Sequence, residues 1–468
     1  MEAGKYIVAI ELGTSKIVGI VGVKNEDGRL NILATEKEDS AGCIKRGCIF
    51  NVEDTASKIQ KIIKKLENRL SLKITKVYVG VGGQSVHSIS HSVFRQLAED
   101  TPITDMIINS LHAESRSFPV ANAEIMDVIP NEYTIDNHLE TQPKGTYASE
   151  IEAHLQLVVG RPSIKKNINR CIVERLKLPI AGYIMSVHAD AAALLDDEEK
   201  SLGCALINFG AGTTTLSIYK DNFLRYVVTI PFGGRNITQD ISSLNILMSE
   251  AERLKLAFGC AINNGEEPKG IGIEGIDSSK INYQELCRVT EARIEEIVAN
   301  IVEQIKESGY KDQLSAGIIL TGGASLLKEL PELLARETKM SVQRGNLQKG
   351  ITFSGHQEGG LTAYSQAIGL LLLGEENCVE KPITPKTEPT VEEPEKPENK
   401  EISDEKKKKE HEKKPKKSWN IFGAIEKMTD KVISSTENFL TDEEDANPPR
   451  KKKLIRSIDL RPFMKLKS

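Results

Sequence analysis

Three turns rich in glycine and hydroxyl residues each follow an apolar run: ELGTSK at 11–16, FGAGTTT at 209–215 and LTGGAS at 320–325. Glycine lets a backbone approach a phosphate closely, neighbouring N–H groups donate to its oxygens, and Thr or Ser hydroxyls add donors or reach Mg²⁺. One such turn alone is a weak sign, because small-residue hairpin turns are common. Three in order, the first two at corresponding places of a repeated strand–turn–strand unit, point to nucleotide binding.

Such turns need strands to hold them. The chain opens with strand-like runs at 6–13, 17–23 and 30–36, joined as a meander. Ile59, Ile62, Ile63 and Leu66 recur at helical spacing within 52–70, and KVYVGVGG (76–83) is a further strand ending in a glycine pair. Residues 84–160 break the pattern with short alternating pieces such as HSISHSV, a helix around ITDMIINSLHAES, and strands over AEIMDVIPNEYTID and SEIEAHLQLVVG. That is an α+β insert. The α/β pattern then resumes with helix PSIKKNINRCIVERLK, strand PIAGYIMSV, the small-residue helix HADAAALL and the second strand–turn–strand unit from 202. Ile294, Ile297, Val298, Ile301, Val302 and Ile305 predict one face of a long helix. Strand 316–325, helix LLKELPELLARET, short strand MSVQRG and closing helix AYSQAIGLLLL complete an α/β layer fold.

The formal net charge of −5 over 468 residues is an average of unlike parts. Residues 1–375 carry 40 Lys and Arg against 47 Asp and Glu, residues 376–405 carry 4 against 10, and residues 406–468 carry 18 against 10. An acidic body argues against a nucleic-acid binder. Residues 376–417 are rich in Pro, Glu and Lys and predict a disordered linker. From Ser418, helical spacing gathers Trp419, Phe422, Ile425, Met428, Val432, Ile433, Phe439 and Leu440 on one side, over a helix of about 35 Å. With basic flanks it suits the headgroup plane of an anionic membrane; docking on a partner protein or on the body is the alternative. The seven cysteines show no metal spacing and read as idle thiols of a reducing compartment. No apolar run approaches the roughly 20 residues that span a bilayer, and no secretory signal is evident, so the expected location is cytoplasmic.

The order of the three turns resembles the superfamily of sugar kinases, heat-shock chaperones and actin. That resemblance implies two α/β lobes, each on a mixed five-stranded sheet, closing over ATP, with small-residue linking helices at 188–195 and 363–369. Within it, SAGCIKRGCIFNVEDTASKI (40–59), VIPNEYTID (128–136), IPFGGRNITQDIS (230–242) and AERLKLAFGCA (251–261) resemble the bacterial cell-division family FtsA. The resemblance implies membrane-tethered filaments of self-associating subunits at the division site, on the cytoplasmic side of the cell membrane, that bind FtsZ and recruit later division proteins. It divides the chain into a first lobe (1–83, 161–190 and the closing helix 355–375) carrying the insert 84–160. The second lobe comprises 191–235 and 314–354 with an outer subdomain 236–313, where FtsZ would bind. Linker 376–417, targeting helix 418–440 and a basic extension 441–468 follow.

Carried over, Gly13, Thr14, Ser15 and Lys16 are the first phosphate loop. Gly210, Ala211, Gly212, Thr213 and Thr214 are the second. Gly233, Gly234 and Asn236 bring the second lobe near the nucleotide, Glu252 and Lys255 meet ribose and base, and Gly322, Gly323 and Ala324 hold the adenosine. Taken alone, Lys16 and Lys255 also read as solvated lysines. Two positions depart from the family pattern: Glu11 stands where Asp orders Mg²⁺ waters, and Asn208 replaces the Asp that opens the second loop. An amide supplies no charge and no base, and Ser186, Val187 and His188 offer no acid at the first linking helix. Asn208 also reads as a turn cap, and His188 as a satisfied helix-start histidine rather than a catalyst. The expectation is ATP held but hydrolysed slowly or not at all. Other functions compete: a catalytic kinase or chaperone ATPase of the superfamily, or an actin-like platform of a pilus or secretion apparatus.

Overall fold

The computed structural model describes residues 4–263, 265, 282–354 and 361–380. Its first sheet runs in the order Ile180–Met185, Val77–Val81, Lys5–Leu12, Lys16–Lys24, Leu30–Asp39 and Ile351–Phe353. The three N-terminal strands form an antiparallel meander, and the two strands beyond Lys5–Leu12 join it in parallel. Both faces are covered, so Ile7 to Ile10 and Ile17 to Val21 are apolar without alternation. Helix Val52–Leu70 packs on one face through Ile59, Ile62 and Leu66. Its N-terminus is capped by the Asn51 side chain, which accepts from Asp54 N at 3.1 Å. Contact is close enough that a side chain on Gly19 would start 2.3 Å from Ile62.

The strands Cys204–Phe209, Thr214–Lys220 and Phe223–Ile230 repeat the meander, and Gly317–Thr321 and Val342–Arg344 add to it in parallel. This repeats the order of the first sheet. Helices Gly234–Ser242, Met248–Phe258 and Tyr283–Glu307 cover one side of the second lobe, the last burying Ile294, Ile297, Val298, Ile301 and Ile305. Helices Ser186–Leu194 and Ser365–Leu373 cross between the lobes. Their contact is backbone to backbone, since a Cβ on Gly369 would stand 1.7 Å from the Ala189 carbonyl oxygen.

Several expectations need correction. The first sheet has six strands rather than five, because Ile351–Phe353 pairs beside Leu30–Asp39. The second belongs to a nine-stranded sheet, in which the insert's strands continue from Phe223–Ile230 through the single pair Val228 and His87. HSISHSV is not a set of short pieces but the start of one strand, His87–Pro102, held by pairing along Tyr147–Gly160. Residues 163–175 form an α-helix that widens to π winding at Arg170. Residues 376–380 belong to the body instead of the linker: Cys378 is fully buried, its N–H donates to Tyr6 O at 2.7 Å, and Val379 pairs with Ile74. Residues 381–468, with the expected linker, the helix 418–440 and the extension, lie outside the described residues.

Candidate nucleotide site

The repeat in the sequence becomes a repeat in hydrogen bonding. Gly13 N–H donates to Lys16 O at 3.0 Å, and Gly210 N–H donates to Thr213 O at 2.9 Å, so both loops are closed by the same bond. A side chain on Gly13 would strike Lys16 O at 2.7 Å. The segment after Ile230 hooks onto the second loop through Gly234 N to Gly210 O at 3.0 Å and Arg235 N to Ala211 O at 2.7 Å. Gly322, at φ 88°, turns so tightly that a Cβ would stand 2.5 Å from Asn208 Oδ1. Gly323 beside it has nothing within 4 Å of that position.

These loops enclose a cleft of about 300 Å³ between the lobes. Glu11, Gly13, Thr14, Ser15, Lys16, Asn208, Gly210, Ala211, Thr213, Gly234, Glu252, Lys255, Gly322, Gly323 and Ala324 all line it. Four expected residues stand behind the lining. Gly212 packs against Thr14, with a would-be Cβ 2.6 Å from Thr14 Cγ2. Thr214 is buried and donates its hydroxyl to Phe232 O. Asn236 spends its side-chain oxygen on Gly233 N–H at 3.0 Å, and Gly233 itself lies against Gly210 and Ala211.

Glu11 is the charged group deepest in the cleft. Its Oε2 is buried without a hydrogen-bond partner, and burial pushes its pKa up to about 7, with Asp190 adding to the shift and Lys16 opposing it. Lys16 is no free surface lysine: its ammonium donates to Ala363 O at 3.1 Å and sits 3.9 Å from the Tyr364 ring centre. Burial pulls the Lys16 pKa down, partly offset by Glu11. Lys255 donates to Glu252 Oε2 at 2.7 Å and to Gly234 O at 3.2 Å. The largely exposed Leu256 lies on the same wall.

Sequence reasoning passed over part of the lining. Gly80, Gly82, Gly83 and Ser186 form the floor, together with Gly47, Ala363, Ser365 and Gln366. The glycine pair at 82–83 was the available signal, for a side chain on Gly82 would meet Ser186 Oγ at 2.8 Å. Asp190 was missed altogether. It is 3% exposed and accepts from Asn208 Nδ2 and Ser365 Oγ, and burial pushes its pKa up to about 6 against those two hydrogen bonds. His188 is paired with Asp127 of the insert at 3.0 Å. Burial would raise the Asp127 pKa, but the hydrogen bond and charge of His188 pull it below the usual range. No cluster of metal-ligating side chains occurs among the described residues. The orphaned oxygen of Glu11, a residue that lines the cleft together with Thr14, Ser15 and Thr213, nonetheless fits a phosphate-bound cation.

Two lobes of repeated topology, linked by crossing helices over a cleft of glycine turns, define an actin-like fold. A "PilM-PilN type IV pilus biogenesis complex" structure has the same fold, with a TM-score of 0.54 at 14% identity over 78% of this chain and 97% of that one. The family description "Cell division protein FtsA" matches residues 205–369, and "SHS2 domain inserted in FTSA" matches residues 83–159. A "Cell division protein FtsA" of Porphyromonas gingivalis is 35% identical over 74% of this chain and 74% of its own. That of Bacillus subtilis is 31% identical over 70% and 75%. The chain belongs to the FtsA family of cell division proteins.

Proposed function

We propose that this chain binds ATP with Mg²⁺ in the interlobe cleft and assembles with its own copies on the inner face of the cytoplasmic membrane. There it ties FtsZ filaments to the membrane and recruits later division proteins. Family membership supports the division role, and the cleft supports the nucleotide. The observation that carries the nucleotide reading is the doubled loop, closed alike at Gly13 and Gly210, with Glu11 Oε2 unpartnered between lobes. The N–H groups and hydroxyls of 13–15 and 211–213 would take the phosphates. Glu252, Lys255 and Ala324 would border the nucleoside. Magnesium would neutralise phosphate charge beside Glu11.

The same residues favour holding ATP over hydrolysing it. Asn208 cannot take a proton, and His188 is engaged by Asp127 outside the cleft lining. Turnover at an actin-like rate or faster by the protein alone would refute this. The apolar stripe from Trp419 to Leu440 supports membrane attachment, and no described helix is long and apolar enough to cross a membrane. The test is co-sedimentation with ATP, anionic vesicles and FtsZ, together and singly. Pelleting with vesicles that brings FtsZ down is expected, and vesicle binding that survives deletion of 418–440 would overturn the attachment.

A further inference from the structure

Asp190 and Asn208 form one buried unit beneath the cleft. Asp190, on the first linking helix, has both oxygens occupied: Oδ2 accepts from Asn208 Nδ2 at 2.6 Å and Oδ1 from Ser365 Oγ at 2.9 Å. Ser365 lies 2.8 Å from Thr321 Oγ1, at the end of the strand that leads into the third turn. One carboxylate therefore ties both linking helices to two strands of the second lobe. Bound this way, an ionised carboxylate only accepts, so the atom of Asn208 facing it must be the amide nitrogen, and the carbonyl Oδ1 must face away. On that side Oδ1 stands 2.5 Å from the position a Gly322 side chain would take and 3.9 Å from the one at Gly210. Asn208, Gly210 and Gly322 all line the nucleotide cleft.

We propose that Asp190 is a positioning residue for nucleotide binding, fixing Asn208 with its carbonyl oxygen toward the water shell of the nucleotide's metal ion. An amide oxygen backed by a buried carboxylate then stands in for a carboxylate at position 208. The proposal rests on the ATP and Mg²⁺ reading above. It makes the pair a unit: the negative charge sits one residue deeper, and the two positions tolerate one carboxylate between them. Two carboxylates this close repel, and one must give up its charge.

The test uses the full chain and its variants Asp190→Asn, Asp190→Ala, Asn208→Asp and the double exchange Asp190→Asn/Asn208→Asp. ATP affinity is measured by equilibrium dialysis with MgCl₂ and with EDTA, alongside the Tm of each protein. Asp190→Asn removes the buried charge and, carrying both a donor and an acceptor, no longer forces the Asn208 orientation, so it should lose about fivefold of the Mg²⁺-dependent gain in affinity, the scale of one hydrogen bond. Asp190→Ala frees the amide and should lose about tenfold of that gain, as for one hydrogen bond to a charged group. Asn208→Asp alone should lower both Tm and affinity, and the double exchange should restore both. A full Mg²⁺-dependent gain in Asp190→Ala would overturn the proposal, leaving Asp190 a structural role. So would a double exchange no better than Asn208→Asp, a comparison that holds even where Asp190→Ala fails to fold. If the unmodified chain binds no ATP, the nucleotide reading itself fails; if it binds and the variants match it, only this proposal does.

Discussion

Thr14 of the first lobe and Gly212 of the second meet across the cleft, so closely that a Cβ on Gly212 would stand 2.6 Å from Thr14 Cγ2 and 2.7 Å from its Oγ1. Thr14 cannot swing aside freely, because its hydroxyl accepts the Gly47 N–H at 2.9 Å. Gly212→Ala is therefore expected to wedge the two phosphate loops apart while each lobe stays folded. ATP affinity should fall about tenfold, equivalent to the 1–3 kcal/mol of a modest overpacking, with little change in far-UV circular dichroism.

A harsher version is expected at Gly369. Its would-be Cβ lies 1.7 Å from Ala189 O, and both partners are helix backbone. Gly369→Ala must separate the linking helices, at a cost of about 3 kcal/mol or more. Urea unfolding should show it as a lowered midpoint, and an unchanged midpoint would overturn the backbone-to-backbone crossing.

Stability without nucleotide should fall as pH rises. Glu11 and Asp190 have pKa values pushed up by burial, to about 7 and about 6 from their ordinary 4.5 and 3.8. Between those limits the folded state holds more protons than the unfolded one, so the contribution is full below about pH 4 and lost by about pH 7. Glu11→Gln should flatten the slope of Tm against pH above about pH 5.5. ATP with Mg²⁺, which favours the ionised Glu11, should bind more tightly as pH rises through the same window.

The insert meets the second lobe at a buried charge. Arg225, 5% exposed, donates to Glu132 Oε1 at 2.7 Å and also faces Asp221 at 3.4 Å. Next to it, Ser88 Oγ accepts from Val227 N at 2.8 Å. Arg225→Ala leaves the partly exposed Glu132 without its partner, while Asp221 stays in water, and should cost about 1–2 kcal/mol. Hydrogen exchange should rise at 87–90 and 225–228 while helix 52–70 stays protected; exchange unchanged at both edges would count against a latch.

The parts legible in the sequence are those whose signal is local. Helix Val52–Leu70 announces itself through Ile59, Ile62 and Leu66, and the glycine turns through their composition. Strand His87–Pro102 was not legible as one piece, because Val93 alone is buried along it and its order comes from a partner strand 62 residues away, as in Ser92 opposite His154. Asp190 was hidden inside an alanine-rich helix, since its meaning depends on Asn208 and Ser365 arriving from elsewhere in the chain. Cys378 and Val379 were masked by the Glu and Pro around them, although two buried side chains suffice to pin a short strand.

The body's last described strand has a mechanical consequence. Glu380, the last described residue, directly follows the Cys378 N–H bond to Tyr6 O and the Val379 pairing with Ile74. A pull at Glu380 is received both at the start of the strand Lys5–Leu12 and, through Val379, at Ile74. That strand runs about 20 Å from Tyr6 to Leu12 and ends at Glu11 and the first phosphate loop. A pull at Glu380 thus reaches one wall of the cleft along this strand, while the opposite wall is reached through contacts between the lobes such as the crossing helices, Thr14 against Gly212 and the edge at His87.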